Sequence, residues 1–158
     1  MTSSRGSVRR TARFWDTSAI IQVYHAYARD HRRALALWSG PRSRSVEHVT
    51  SALVALEAVR RIHVVEPEFV ADVRDALTKM WRVPVDDQIL LIGYMLASKG
   101  GQASGADRAI VACAIWTARQ VNDRVEFITS DGSQAEIAEN SSSNELDVIR
   151  LQPGYSGW

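Results

Sequence analysis

Residues 12–21 read ARFWDTSAII, and this stretch decides the fold. A short aromatic run, Phe14 and Trp15, ends at Asp16 and passes at once into IIQVYHAY, whose apolar residues recur at helical spacing. The segment predicts strand, turn, helix, with Thr17 and Ser18 suited to cap the helix by accepting from its free N–H groups. The same alternation runs down the chain. ARDHRRALALW predicts a helix stopped by Gly40 and Pro41, and VEHVTSALVALEAVRRI a short strand turning into a helix capped near Ser51. Pro67 opens the helix EPEFVADVRDALTKMW, and Asp86 or Asp87 opens DDQILLIGYMLASKGG, which paired glycines close. SGADRAIVACAIWTARQ gives one further helix, VEFIT a strand, SQAEIAEN a short helix and LDVIRL a last strand, with NSSSN a polar loop. Strands alternating with helices predict a parallel sheet in a three-layer α/β/α sandwich.

At 158 residues the chain is about one domain long, with 46% hydrophobic and 23% charged residues in ordinary globular proportion. Cys113 is the single cysteine and sits in the apolar run AIVACAIW, so disulfide scaffolds and zinc ribbons are excluded and it reads as a small buried hydrophobe. No apolar stretch approaches the about 20 residues of a membrane span, and the N-terminus lacks a signal-peptide core. A soluble cytoplasmic protein without membrane association is expected. Residues 1–79 carry 13 basic and 8 acidic side chains, and residues 80–158 carry 6 and 10, so the two halves differ in sign. Arginine supplies nearly all the basic charge, which suits phosphate recognition and equally fits a GC-rich coding sequence. Residues 1–13 read as a disordered basic arm, 14–152 as the folded domain and 153–158 as a tail ending in a loose Trp158.

In open α/β sheets the ligand site lies beyond the carboxyl ends of the strands. Asp16 ends the first strand and Asp131 follows VEFIT, so neighbouring parallel strands would present both carboxylates on one edge. Asp107, at the start of GADRAIVACAI, shares a helix face with Ile110, Val111 and Ala114 and is thereby aimed at the sheet edge. Glu57 sits beside the apolar stripe of SALVALEAVRRI, where a carboxylate is costly unless paired or bound to a cation. Each acid also has a structural reading: Asp16 as a helix cap, Asp107 as a dipole partner, Asp131 as a turn residue, and Glu57 in an ion pair with Arg60 or Arg61. Taken together they describe a pocket that gathers negative charge, which requires raised carboxyl pKa values or bound cations. The four histidines, His25, His31, His48 and His63, lack metal-ligand spacing, and oxygen-only ligation favours Mg2+ or Mn2+ over zinc. Such centres serve phosphoryl transfer. No GxxxxGK[ST] loop or GxSxG elbow is present, which argues against an NTPase or an acyl-transfer enzyme.

FWDTSAII, the glutamate of SALVALEAVRRI, GADRAIVACA and FITSD follow one another at separations of 41, 50 and 24 residues between their acids. In order and spacing they resemble the PIN domain over roughly residues 12–152, and the chain is similar to the VapC toxins of toxin–antitoxin pairs. The resemblance implies a PIN-like sandwich and a Mg2+- or Mn2+-dependent endoribonuclease that leaves a 5′-phosphate and a 3′-hydroxyl. It implies Asp16, Glu57, Asp107 and Asp131 as the catalytic and metal-ligating acids, with the Ser18 hydroxyl helping to order the site. Thr129 is read beside Ser18 as a supporting donor. It also implies an RNA substrate, an antitoxin partner whose tail covers the acidic groove, and a homodimer. Two rivals stand beside this reading: a PIN-like module that only binds RNA or protein, and a phosphatase of the haloacid dehalogenase type. The latter needs a second aspartate two residues after the first, where this chain has Ser18.

Overall fold

The computed structural model describes residues 10–39, 46–141 and 144–154. Five strands, β1 (Thr11–Trp15), β2 (Val46–Ser51), β3 (Trp81–Val83), β4 (Val125–Thr129) and β5 (Leu146–Arg150), form one sheet in the order β3-β2-β1-β4-β5. Every pairing is parallel, as the alternating pattern predicts, with Trp15 opposite Ile128 and Thr129 opposite Arg150. The helices are α1 (Thr17–Tyr24), α2 (His31–Ser39), α3 (Ala52–Val65), α4 (Val70–Lys79), α5 (Asp87–Ser98), α6 (Gly105–Val121) and α7 (Gly132–Ser141). They fall into two groups: α1 packs on α2 and α3, and α3 on α4, while α6 packs on α5 and α7 and lies against β2, β4 and β5. The result is the expected α/β/α sandwich.

Both faces of a parallel sheet are covered, so its strands are apolar on both sides. Phe14 and Trp15 on β1 and Phe127 and Ile128 on β4 are fully buried, and the rings of Phe14 and Phe127 stack 5.8 Å apart. The α6 run around Cys113 is buried along most of its length, because it lies between the sheet and its neighbouring helices. Burial pushes the Cys113 thiol up to about 12, so it is an inert packing residue.

Three expectations need correction. The strand opens at Thr11, so residues 11–13, assigned from sequence to the basic arm, belong to the sheet, because Thr11 to Phe14 pair in register with Val46 to Val49. The fourth helix does not run through Trp81: α4 stops at Lys79, a 3-10 turn at Pro67–Phe69 precedes it, and Met80 turns extended to start β3. Pairing with β2 and an edge contact between Trp81 and Trp116, 5.9 Å apart, outweigh helix continuation there. The helix SQAEIAEN runs one residue further than expected, so Ser141 of NSSSN is helical, while Ser142 and Ser143 lie outside the described residues. Residues 1–9 of the arm, the stop at Gly40 and Pro41, and Trp158 lie outside the described residues.

Candidate active site

The order in which strands are added reverses between β1 and β4, since β2 and β3 lie to one side of β1 and β4 and β5 to the other. A crevice opens at such a switch point, beyond the carboxyl ends of the strands. Asp16 leaves β1 there and Asp131 follows β4 by two residues.

Asp16 caps α1 itself, with Oδ1 accepting from the Ala19 N–H at 3.0 Å and from the Ser18 hydroxyl at 2.6 Å. Its Oδ2 accepts from the Thr129 hydroxyl at the end of β4. The cap predicted at Thr17 and Ser18 therefore sits one residue earlier. Ser18 is turned to the site instead: it donates to Asp16 and accepts from the Ser130 N–H at 2.9 Å. Thr129 in turn accepts from the Asp131 N–H at 2.9 Å, so Asp16, Ser18, Thr129 and Asp131 form one connected network across two strands. Only 1% of Asp16 is exposed, and burial pushes its carboxyl up to about 6, with the charge of Asp131 adding to the rise. The hydrogen bonds from Ser18, Thr129 and Ala19 oppose the rise and favour the ionised form.

Glu57 reaches the crevice from the middle of α3. Its Oε2 accepts from the Thr17 hydroxyl at 2.8 Å, and no ion pair joins it to Arg60 or Arg61. Asp107 closes a capping box at the start of α6, with its N–H donating to Ser104 Oγ at 3.1 Å and its Oδ2 accepting from the Ser104 N–H at 3.3 Å. Its other oxygen accepts from Gln134 Nε2 at 3.0 Å. Asp131 Oδ1 accepts from the N–H groups of Ser133 and Gln134 and so orders the first turn of α7.

A cavity of about 470 Å³ is lined by all four acids, together with Thr17, Ser18, Leu56, Arg60, Arg61 and Gln134. The four acids singled out from sequence are thus brought to one cleft, although among the described residues no three His, Cys, Asp or Glu side chains converge on a single point. The reason is visible in their partners: Glu57 is drawn to Thr17, Asp107 to Ser104 and Gln134, and Asp131 to the backbone of α7. The donor set is carboxylate and hydroxyl oxygen without imidazole or thiolate, which suits a hard divalent cation. Two residues that hold the acids by hydrogen bonds escaped the sequence reading as part of the site. Thr17 was read only as a cap. Gln134, buried on α7, bridges Asp107 and Asp131, and among the described residues its own Oε1 has no partner. Its spacing of three from Asp131, on the helix entering the same edge, is the signal that could have found it.

No family model matches the chain, and no curated protein matches it in sequence. Solved structures do. VapC20 of Mycobacterium tuberculosis, a sarcin-ricin loop cleaving toxin, matches with a TM-score of 0.62 at 17% identity, over 90% of this chain and 100% of that one. VapBC2 of Rickettsia felis, bound to a DNA fragment from its promoter, matches at 0.61 and 14% identity over 90% and 100%. A toxin–antitoxin complex from Klebsiella pneumoniae matches at 0.59 and 16% identity over 88% and 99%. The chain has the PIN-like fold of these structures.

Proposed function

We propose that this chain is a metal-dependent endoribonuclease, the toxin of a toxin–antitoxin pair, hydrolysing RNA phosphodiesters to a 5′-phosphate and a 3′-hydroxyl. The observation that carries the reading is the meeting of Asp16, Glu57, Asp107 and Asp131 in one cleft at the switch point of the sheet. The shared fold with a sarcin-ricin loop cleaving toxin supports it. Asp16, Asp107 and Asp131, with Glu57 directly or through water, are the residues that would hold Mg2+ or Mn2+. When bound, such an ion neutralises phosphate charge and makes water a better nucleophile near neutral pH.

The chain's own residues do the positioning. Three donors fix Asp16 in one rotamer with both oxygens oriented, which removes the reorganisation a mobile carboxylate would need. Thr17 sets Glu57 and Gln134 sets Asp107, so each acid entering the cleft is held by a neighbour outside the charge cluster. The crowding of carboxylates disfavours the scissile phosphate among the acids until cations reach the cleft. Cleavage is therefore expected to depend on divalent metal.

An antitoxin whose tail covers this groove, and a homodimer, belong to the same proposal; the matched structures from Rickettsia felis and Klebsiella pneumoniae contain toxin–antitoxin pairs. The test is incubation of the purified chain, free of antitoxin, with total cellular RNA with and without Mn2+, followed by mapping of the cut ends. Discrete cuts that vanish with EDTA and in Asp16→Asn and Asp107→Asn, both of which stay folded, are expected. Cleavage that survives chelation would remove the metal from the proposal, and a chain without cleavage under any metal would leave a binding module.

A further inference from the structure

Arg60 and Arg61 stand in the wall of the acidic cleft, on α3, one turn beyond Glu57. Residues at this spacing are neighbours on a helix, so Glu57 is their natural ion-pair partner. Glu57 is instead bonded to Thr17, and among the described residues neither arginine has an ion pair or a hydrogen bond. Both guanidiniums are exposed and face a cavity that otherwise presents four carboxylates.

The opposite wall is built differently. Among the described residues it presents Asp107, Asp131 and Gln134 and no cation. Arg108, next to Asp107 on α6, is spent on the loop before it: its guanidinium donates to the carbonyls of Ala103, Gly100 and Gly101. Among the described residues, positive charge lining the cleft is thus confined to one side. Leu56, 74% exposed, lies one turn before Arg60 on the same face and adds an apolar surface to that side.

From this asymmetry we infer that Arg60 and Arg61 form the phosphate-binding site of the cleft, seating the backbone of a single-stranded RNA on the α3 side only, next to the phosphate presented to the acids. The inference rests on the ribonuclease reading and names the residues that bring its substrate in. Guanidinium is suited to the task because its planar fork bonds phosphate oxygens in pairs. A polyanion entering a cleft of carboxylates needs such a foothold outside them. With cations on one wall, the strand is held on one side of the scissile bond, and contacts on the other side add little charge-dependent affinity.

The experiment compares the full chain with the double variant Arg60→Ala/Arg61→Ala and with Arg60→Lys/Arg61→Lys. Binding of a fluorescein-labelled single-stranded RNA oligonucleotide is measured by anisotropy in EDTA at several salt concentrations, and KM and kcat are measured with Mn2+. Loss of two phosphate contacts makes the slope of log K against log salt shallower by about 1.4, at about 0.7 per contact for single strands. The alanine pair should weaken binding by about fivefold or more at low salt and raise KM with kcat little changed, and the lysine pair should recover part of both. Its melting temperature should match wild type, since neither arginine has a partner to lose. Unchanged affinity, salt slope and KM in an alanine pair beside a wild type that cleaves RNA would overturn the inference and leave the ribonuclease standing. A wild type that neither binds nor cleaves RNA would overturn both.

Discussion

The hydroxyl of Thr17, the first residue of α1, donates to Glu57 Oε2 in the middle of α3 at 2.8 Å, tying the helix that Asp16 caps to the helix that carries Glu57. Glu57 therefore has an orientation set by a residue 40 positions away in the chain, and the i,i+3 or i,i+4 pairing with Arg60 or Arg61 does not form. Thr17→Val keeps the shape of a side chain that is only 8% exposed and removes the donor. Because Glu57 keeps access to water, the expected cost in chemical denaturation is about 1 kcal/mol. The Mn2+ concentration for half-maximal cleavage should rise. A variant that loses stability while its metal curve stays put would show that Thr17 only braces the helices.

Glu57→Gln separates charge from geometry more cleanly. Glutamine is nearly as good a helix former as glutamate, and its amide oxygen can still accept from Thr17. Only the negative charge is lost. Cleavage rate against Mn2+ should shift to higher metal or fall at all metal concentrations. Superimposable curves for wild type and Glu57→Gln would take Glu57 out of the site and leave a centre of three aspartates.

Local signals carried most of the architecture. The change from aromatic strand to apolar helix at Asp16, the Ser51 cap and the VEFIT strand are read within a few residues and appear where expected. The strand β3 was hidden because Val73, Leu77 and Trp81 continue the helical spacing of α4, and three residues are too few to show a period of two. Positioning of the acids was hidden for another reason. Thr17 to Glu57 and Gln134 to Asp107 are bonds between distant parts of the chain, and a single sequence offers only near neighbours as partners, hence the expected Arg60 or Arg61.

Asp16 makes metal-free stability depend on pH in a defined direction. Its ordinary value of 3.8 is raised to about 6 in the fold, chiefly by burial. Between those values the folded chain holds a proton that the unfolded chain has released, so stability falls as pH rises through this window. The contribution is fully present below 3.8 and gone above about 6. In EDTA, denaturation of wild type at pH 4.5 and 7 should differ from that of Asp16→Asn by about 2 kcal/mol, at about 1.4 kcal/mol per pH unit. Asp16→Asn should be the more stable protein at pH 7, where wild type carries a buried charge. Parallel pH profiles for the two would show that Asp16 is solvated in the folded state.

Gln134 is the sharpest test of the opposite wall. Its Nε2 orients Asp107, its N–H is held by Asp131, and its buried Oε1 has no donor among the described residues. The two ends of the amide therefore push in opposite directions energetically: one fixes an acid of the site, and the other is a buried acceptor that costs about 1 to 3 kcal/mol while unmade. Gln134→Leu fills a similar volume, keeps the backbone bond to Asp131 and removes both ends at once. Stability should hold or rise, whereas freeing Asp107 should lower activity or apparent metal affinity by about 10- to 100-fold, as is usual when the partner of a ligating carboxylate is lost. Thermal melts in EDTA and Mn2+ titrations of cleavage read the two effects separately. Activity that falls only in step with melting temperature would make Gln134 a packing residue, and a stable, fully active Gln134→Leu would show that the Ser104 capping box alone positions Asp107.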